Sequence, residues 1–169
     1  MAELILQKYP NNEFTLKVLS AIFKKTYRLD KALLVNIKSI NINPNDEEAF
    51  FNLANTFKSL NQLIKAEINY RKAIAINPSY AVAYNNLSST LKDMGRLDES
   101  EEVSIKALTF NQENPLFYFN LGDTQKKNGK LKAAKESFQN AIKLDPNFDD
   151  ARYLLAALIA VSVASAPLF

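Results

Sequence analysis

Hydrophobic residues recur along this chain with the spacing of an α-helix. In one segment they stand at i, i+3, i+4 and i+7, at Phe50, Leu53, Ala54 and Phe57. After a short polar break, a second set lines one face of another helix, at Ala66, Tyr70, Ala73, Ile74 and Asn77. This period predicts a pair of amphipathic helices joined by a tight turn.

The same helix pair recurs every 34 residues. Four ladders of equivalent positions keep this period. They are Pro10, Pro44, Pro78 and Pro146; Leu6, Ile40, Ile74, Leu108 and Ile142; Leu19, Leu53, Leu87 and Leu121; and Leu29, Leu63, Leu97 and Leu131. The proline ladder has one gap, at Gln112, and Pro115 follows three residues later. A fixed period of this length is the signature of a repeat architecture.

The period divides the chain into four full units with partial units on either side. The full units are residues 13–46, 47–80, 81–114 and 115–148. Residues 1–12 are interpreted as the second helix of a preceding unit, and residues 149–169 as a terminal or capping helix. One helix pair cannot bury its own apolar faces, so stability must come from stacking. We therefore predict an all-α solenoid of antiparallel helix pairs, with about four repeats plus flanking helices.

The boundaries within each unit carry their own signals. Asn61, Gly95 and Gly129 stand at equivalent breaks, and both residue types tolerate the left-handed conformation that ends a helix. The proline slot ends the second helix, because the residue before proline avoids the α region. Small residues at one position allow the paired helices to approach closely, at Ala32, Ala66, Ser100 and Ala134.

This pattern resembles the tetratricopeptide repeat. The second unit matches at every slot that defines the repeat, namely Phe50, Leu53, Ala54, Phe57, Ala66, Tyr70, Ala73 and Pro78. The fourth matches at Tyr118, Leu121, Gly122, Ala134, Phe138, Ala141 and Pro146, and departs at Gln125. In the first and third units Asn36 and Ser104 replace the aromatic residue. The resemblance implies a right-handed superhelix whose first helices line a concave groove for an extended peptide or a partner helix.

Composition argues against catalysis. The chain has 169 residues, 47% of them apolar, and contains neither Cys nor His. Disulfides, thiolate metal sites and cysteine nucleophiles are therefore excluded, as are histidine-dependent hydrolases and zinc or iron sites within the chain. No glycine-rich phosphate loop and no carboxylate cluster with metal-ligand spacing occurs in the sequence. We expect no enzymatic activity, no cofactor and no metal.

Three columns of groove positions are candidates for peptide binding, with positions counted from the first residue of each unit. Position 6 carries Asn52, Asn86 and Asn120; position 12 carries Lys24, Lys58, Lys92 and Lys126; position 5 carries Phe51, Asn85 and Phe119. Asn55 completes the candidate set. Carboxamides can pair with both the N–H and the C=O of a peptide backbone. Lysines would favour an acidic peptide, and aromatic rings would form side-chain pockets.

Each column also has a structural interpretation. The asparagines resemble the ladder in the repeats of O-linked N-acetylglucosamine transferases, but they could instead form hydrogen bonds between repeats. The lysines could form a solvated helix face, and Phe51 and Phe119 could be buried between adjacent repeats. The carboxylate clamp of chaperone-binding relatives is not expected, because Val82 and Leu116 stand where it needs a basic residue.

The remaining expectations concern partners and location. The net charge of +3 is spread along the chain, and Asp93 and Asp123 interrupt the lysine column, so we expect no nucleic-acid partner. The residues after Met1 do not form a signal peptide, which favours a cytoplasmic protein. The uncharged stretch Tyr153–Phe169 is shorter than the roughly 20 residues that span a bilayer, so we expect no membrane partner.

The sequence thus favours a protein-interaction scaffold that binds an extended, acidic peptide in its groove. Two alternatives remain open at this stage. The chain could be the substrate-docking module of a larger glycosyl-, sulfo- or methyltransferase, as in similar bacterial arrays. It could also be a fragment that forms a homodimer through its apolar C-terminal helix.

Overall fold

The computed structural model describes residues 2–164, which form ten α-helices. They are α1 (Ala2–Lys8), α2 (Glu13–Lys25), α3 (Leu29–Ile42), α4 (Glu47–Ser59), α5 (Leu63–Ile76), α6 (Ala81–Asp93), α7 (Leu97–Phe110), α8 (Pro115–Lys127), α9 (Leu131–Leu144) and α10 (Asp149–Ala164). No strand occurs in this part of the chain, and the predicted all-α fold is confirmed. The last residues of the expected terminal helix, 165–169, lie outside the described residues.

The first helices of successive pairs begin 34 residues apart, at Glu13, Glu47, Ala81 and Pro115. Three of them are capped by a side chain. Oδ1 of Asn12 accepts a hydrogen bond from the N–H of Thr15 at 2.8 Å. Asp46 and Asn114 cap α4 and α8 in the same way. Such caps satisfy backbone donors that have no partner inside the helix, and they define where each pair begins.

A left-handed residue ends each first helix. The φ angles are 56° at Tyr27 and Asn61, 78° at Gly95 and 74° at Gly129. Glycine and asparagine accept this conformation at low cost, but a tyrosine does so only with strain. Tyr27 also leaves 90% of its side chain exposed, so it gains little packing in return.

The second helices end at an Asx turn in every repeat. The residue after the helix is Asn43, Asn77, Asn111 or Asp145, and its Oδ1 accepts a hydrogen bond from the backbone N–H two residues later, at 3.0–3.2 Å. Such turns compete with helical hydrogen bonds and stop the helix. The third repeat therefore ends α7 correctly, although Gln112 stands in its proline slot.

The stack of helix pairs is curved, and the first helices lie on its inner side. Helix α2 contacts α4, α4 contacts α6 and α6 contacts α8. Within residues 2–164, consecutive second helices do not approach one another to the same extent. Because separations are shorter on the inside of a curve, α2, α4, α6 and α8 form the concave surface. We call this surface the first-helix face.

The second and fourth repeats are packed with aromatic rings. Phe51 lies 5.9 Å from Tyr70 and 5.3 Å from Tyr80, measured between ring centroids. Phe119 lies 5.9 Å from Phe138 and 5.0 Å from Phe148. These residues occupy positions 5, 24 and 34 of their repeats. We call the second and fourth repeats the aromatic repeats.

The first and third repeats carry polar residues at the same three positions, and we call them the polar repeats. Their residues are Lys17, Asn36 and Asp46 in the first, and Asn85, Ser104 and Asn114 in the third. Nδ2 of Asn36 donates to the hydroxyl of Thr56 at 3.0 Å. Ser104 shares a hydrogen bond with Ser88, inside a buried cluster with Ser100 and Thr124. Buried polar groups need such partners, because leaving one unpaired costs free energy.

Helix α10 packs on the last full repeat and leaves one side uncovered. Leu154, Leu155 and Leu158 pack against the cluster around Phe138. Tyr153 points away from that cluster, with 75% of its surface exposed. Within residues 2–164, no helix combines the length and apolar character that crossing a bilayer requires.

Candidate functional site

Asn55 and Asn86, two of the predicted binding residues, are bonded to each other across a repeat boundary. Nδ2 of Asn86 donates to Oδ1 of Asn55 at 2.9 Å. The same oxygen accepts the hydroxyl of Tyr70 at 2.6 Å. Burial raises the pKa of Tyr70, so this hydroxyl keeps its proton and remains a donor. One carboxamide oxygen thus connects α4, α5 and α6.

Asn85 and Asn120 form a second bridge between repeats. Nδ2 of Asn120 donates to Oδ1 of Asn85 at 2.9 Å, joining α6 to α8. Asn85 is only 4% exposed, and its own amide points towards Asn86 at 3.4 Å. It therefore supports the network and does not offer a free surface for a peptide. For Asn55, Asn85, Asn86 and Asn120, the geometry favours the interpretation as hydrogen bonds between repeats.

Asn52 differs from the other asparagines of its column. Its carboxamide makes no hydrogen bond to another residue within 2–164, although its backbone oxygen accepts the hydroxyl of Thr56. The residue is half-buried on the first-helix face. Its side chain therefore keeps both a donor and an acceptor for an external partner.

The lysine column is largely neutralised by the next repeat. Nζ of Lys58 donates to Oγ of Ser89 at 2.7 Å and lies 3.3 Å from Asp93. Nζ of Lys92 lies 2.6 Å from Asp123, and only 9% of the lysine side chain is exposed. Burial lowers the pKa of Lys58, although the charge of Asp93 opposes that shift. Asp93 and Asp123, which interrupt the lysine column in the sequence, are thus the partners of its two central members.

The two end members of the column differ from the central ones. Lys24 is exposed and Lys126 is half-buried, and neither forms an ion pair with another described residue. Only the ends of the predicted lysine column can therefore offer charge to a partner.

The two predicted aromatic residues lie between packed rings. Phe51 contacts the ring of Tyr80, and Phe119 contacts the ring of Phe148. Both phenylalanines are half-buried. The geometry thus favours packing inside the stack, with each phenylalanine on rings of its own repeat and with Phe51 also against the cluster that contains Ala83 of the third repeat.

A pocket of about 350 Å³ opens on the first-helix face between α2 and α4. Its lining residues are Phe14, Lys17, Val18, Ala21, Glu48 and Asn52. Phe14 is 75% exposed and Val18 is 40% exposed, which is unusual for large apolar side chains on an inner surface. Of the predicted binding residues, only Asn52 belongs to this pocket.

The charged groups beside the pocket are paired with each other. Nζ of Lys17 lies 2.8 Å from Asp46 and 2.8 Å from Glu48. Burial alone would lower the pKa of Lys17, but the hydrogen bonds to these two carboxylates outweigh it and raise the pKa to about 12. Lys17 therefore stays charged at neutral pH, and its charge is compensated within the protein.

Sequence reasoning missed Phe14, Val18 and Ala21 because it searched for columns that repeat one residue type. A usable signal exists for Val18 and Ala21. Position 6 is asparagine in the second, third and fourth repeats but Val18 in the first, and position 9 is polar everywhere except at Ala21. Apolar residues at positions that are polar in the other repeats would have marked the pocket.

A larger cavity of about 530 Å³ lies at the edge of the stack and includes none of the predicted residues. It is lined by Asn61, Gln62, Leu63, Ile64, Lys65 and Met94, around the turn of the second repeat. Its charged residue, Lys65, lies 5.4 Å over the ring of Phe57. We regard the pocket between α2 and α4 as the better candidate, because it lies on the inner surface and contains the unbonded Asn52.

The chain matches two protein-family models of the tetratricopeptide repeat. One tetratricopeptide-repeat model matches residues 115–148, and a second matches residues 37–68 and 69–102. Together these matches cover more than half of the chain. A search of curated proteins gave no match.

Solved structures of the same architecture are numerous. PilF of Pseudomonas aeruginosa is 23% identical with a TM-score of 0.84, over 90% of this chain and 69% of that chain. A thermophilic TPR protein of Thermus thermophilus, TTC0263, is 19% identical with a TM-score of 0.82, over 94% and 87%. YrrB, described as a TPR protein with an unusual peptide-binding site, is 15% identical with a TM-score of 0.74, over 97% and 84%. At such identities the likeness concerns the fold alone.

Proposed function

The chain belongs to the tetratricopeptide-repeat family, and from that premise we propose that this interaction scaffold binds an extended peptide along its first-helix face. The observation that carries the proposal is the unbonded carboxamide of Asn52 beside an open pocket on the concave surface. The structure of YrrB, with its described peptide-binding site, supports the idea that such a stack can hold a peptide.

Asn52 suits a peptide backbone better than it suits a specific side chain. Its Nδ2 can donate to a peptide carbonyl while its Oδ1 accepts from the next N–H. A backbone presents this donor and acceptor pair at each residue except proline. Asn52 would therefore recognise an extended chain whatever its local sequence, and neighbouring subsites would add selectivity.

The bonded asparagines have a supporting role in this proposal. The bridges from Asn55 to Asn86 and from Asn85 to Asn120 hold α4, α6 and α8 in register. A rigid surface lowers the entropy lost on binding, because fewer side chains must be ordered. Asn86 and Asn120 are half-buried and keep one amide proton each, so they can make a second contact with the peptide.

The charge of the partner contributes less than the sequence indicated. Lys58 and Lys92 are neutralised, and only Lys24 and Lys126 remain without ion pairs to described residues. Rim charges change association rates more than affinities. We propose a peptide that need not be acidic. The same face would serve a substrate-docking module of a larger transferase, so that alternative makes the same prediction about the surface.

The proposal is tested by selecting peptides from a random library on the purified protein and measuring their dissociation constants. Ala21→Arg places a bulky charge on the inner face and should weaken binding at least about tenfold. Ala75→Arg makes the same change at an exposed alanine of α5, outside the first-helix face, and should leave binding unchanged. Equal losses in the two variants would contradict the proposed location.

The exposed side of α10 supports a second candidate, self-association. Tyr153 exposes most of its ring beside the solvent-facing Ala156 and Ala157. If this face forms a dimer, sedimentation at increasing concentration should show association that Tyr153→Glu abolishes. Tyr27→Glu, at an exposed tyrosine of the first repeat, is the matched control. A monomer at high protein concentration would exclude this candidate.

A further inference from the structure

We propose that the pocket between α2 and α4 is a subsite for one uncharged, apolar side chain of the bound peptide, next to the backbone amide that pairs with Asn52. This inference rests on the proposed function and deepens it, because it names the chemistry that the partner must carry. It replaces the acidic peptide expected from the lysine column with an apolar one.

The pocket has apolar walls at positions that are polar in the other repeats. Phe14, Val18 and Ala21 line one side on α2, all exposed to solvent. In the other three repeats, positions 6 and 9 carry Asn52 and Asn55, Asn86 and Ser89, and Asn120 and Asp123. Covering exposed apolar surface with an apolar side chain releases water and is favourable. Val82 and Leu116 are exposed at the position of Phe14 in the third and fourth repeats, but only the first repeat adds apolar residues at positions 6 and 9.

The charges around the pocket disfavour an acidic occupant. Lys17 is paired with both Asp46 and Glu48, so its positive charge is compensated and one negative charge is left in excess at the rim. A carboxylate of the peptide would lose water and meet this negative charge, which is costly. An ammonium group would lose water against Phe14, Val18 and Ala21, so the apolar walls favour an uncharged side chain.

Size and polarity together fix the register of the peptide. A volume of about 350 Å³ lies at the lower end of ligand pockets and suits one large side chain rather than a folded segment. Asn52 closes one wall of the same pocket. A peptide whose backbone pairs with Asn52 therefore places its adjacent side chain against Phe14 and Val18.

The test uses peptides selected from a random library on the wild-type protein, followed by a double-mutant cycle. We expect the selected sequences to share one aliphatic or aromatic residue and to bind with little dependence on salt. Val18→Asn, which extends the asparagine column into the first repeat, should weaken binding about tenfold. It should have almost no effect on a peptide whose shared apolar residue is replaced by alanine.

Val82→Asn is the matched control. Val82 is 41% exposed, as Val18 is 40% exposed, but it lies on α6 outside the pocket. It should show no coupling to the apolar residue of the peptide. Asn52→Asp keeps the shape of the side chain and removes its amide donor. It should therefore weaken the binding of the selected peptide and of its alanine variant by the same factor.

The outcomes separate this inference from the proposed function. If peptides bind the inner face but share no apolar residue, or if Val18 shows no coupling to it, the subsite is refuted and the proposed function stands. Acidic peptides whose binding falls steeply with salt would also refute it, in favour of Lys24 and Lys126. If no peptide is selected, both the inference and the proposed function fail.

Discussion

The aromatic repeats and the polar repeats form the same pair of helices, but different interactions hold them in place. In the second and fourth repeats, Phe51 and Phe119 fill the space towards Tyr80 and Phe148. In the first and third, Lys17 reaches Glu48 and Asn85 reaches Asn120 through ion pairs and hydrogen bonds. The polar contacts connect one repeat to the next, whereas the aromatic contacts lie within a repeat and add a large hydrophobic contribution.

Stability and peptide recognition are therefore expected to depend on different repeats of the stack. Buried aromatic side chains dominate core energetics, whereas a hydrogen bond contributes about 1 kcal/mol net. We therefore expect the aromatic repeats to carry most of the stability. The pocket, by contrast, lies between a polar repeat and an aromatic one, where Phe14 and Val18 remain uncovered.

Phe138→Ala should have the largest effect. The ring is fully buried and packs on Phe119 and Gly122, so its removal leaves a cavity and should lower the free energy of unfolding by about 3–5 kcal/mol. Ser104→Ala, at the equivalent position of the third repeat, should cost about 1 kcal/mol. Urea denaturation followed by circular dichroism measures the stability of both variants. Similar losses in the two would contradict the distinction between aromatic and polar repeats.

Gly122→Ser should cause the next largest loss in the free energy of unfolding. A Cβ atom at Gly122 would lie 2.7 Å from the ring of Phe138, whereas the equivalent Ser88 faces the small Ser104. Overpacking of this kind costs about 1–3 kcal/mol. The loss should shrink when Phe138→Ala is present as well, because the clash is gone. Additive losses in the double variant would show that the glycine is not required by the ring.

Asn120→Ala should lower the free energy of unfolding by about 1–2 kcal/mol, because it leaves the buried oxygen of Asn85 without its donor. Asn52→Ala removes a carboxamide with no partner among the described residues. It should change the free energy of unfolding by less than about 0.5 kcal/mol. Thermal denaturation of the two variants separates structural from available asparagines. Equal effects would contradict the geometry of the ladder.

Tyr27→Gly should have the smallest effect, and it should raise the free energy of unfolding rather than lower it. Tyr27 holds a left-handed φ of 56° that glycine adopts at Gly95 and Gly129. Relief of this strain, less the entropy cost of glycine, should stabilise the first repeat by about 0.5–1 kcal/mol. Asn61→Gly is the control with a smaller expected gain. A loss of stability would mean that the tyrosine makes a compensating contact.

The fold could be predicted from the sequence because each helix pair repeats the same local signals. The leucine ladders indicate which side of each helix is buried, and the turn residues indicate where each helix ends. Both signals can be read from residues that are close together in the sequence. The proline ladder was an incomplete guide. The Asx turn at Asn111 ends α7 without proline, and the residue type at that position was visible in all four repeats.

The candidate site could be predicted only in part. Residue type placed Asn52, Asn86 and Asn120 in one column, but it could not show which carboxamides are already bonded. The partner of Asn120 lies 35 residues earlier, and the contact depends on the rotation between adjacent repeats. Lys92 reaches Asp123 across 31 residues for the same reason. The same separation joins Lys58 to Ser89, so the repeat determines which positions meet, but the distance between them is known only from the stacked structure.

The most direct measurement is an amide chemical-shift titration of the labelled protein with a library-selected peptide. We expect the strongest shifts to cluster on α2 and α4, around Val18 and Asn52, and the amides of α3 and α5 to change little. Strong shifts on the second helices, with α2 and α4 unchanged, would contradict the assignment of the first-helix face as the binding surface.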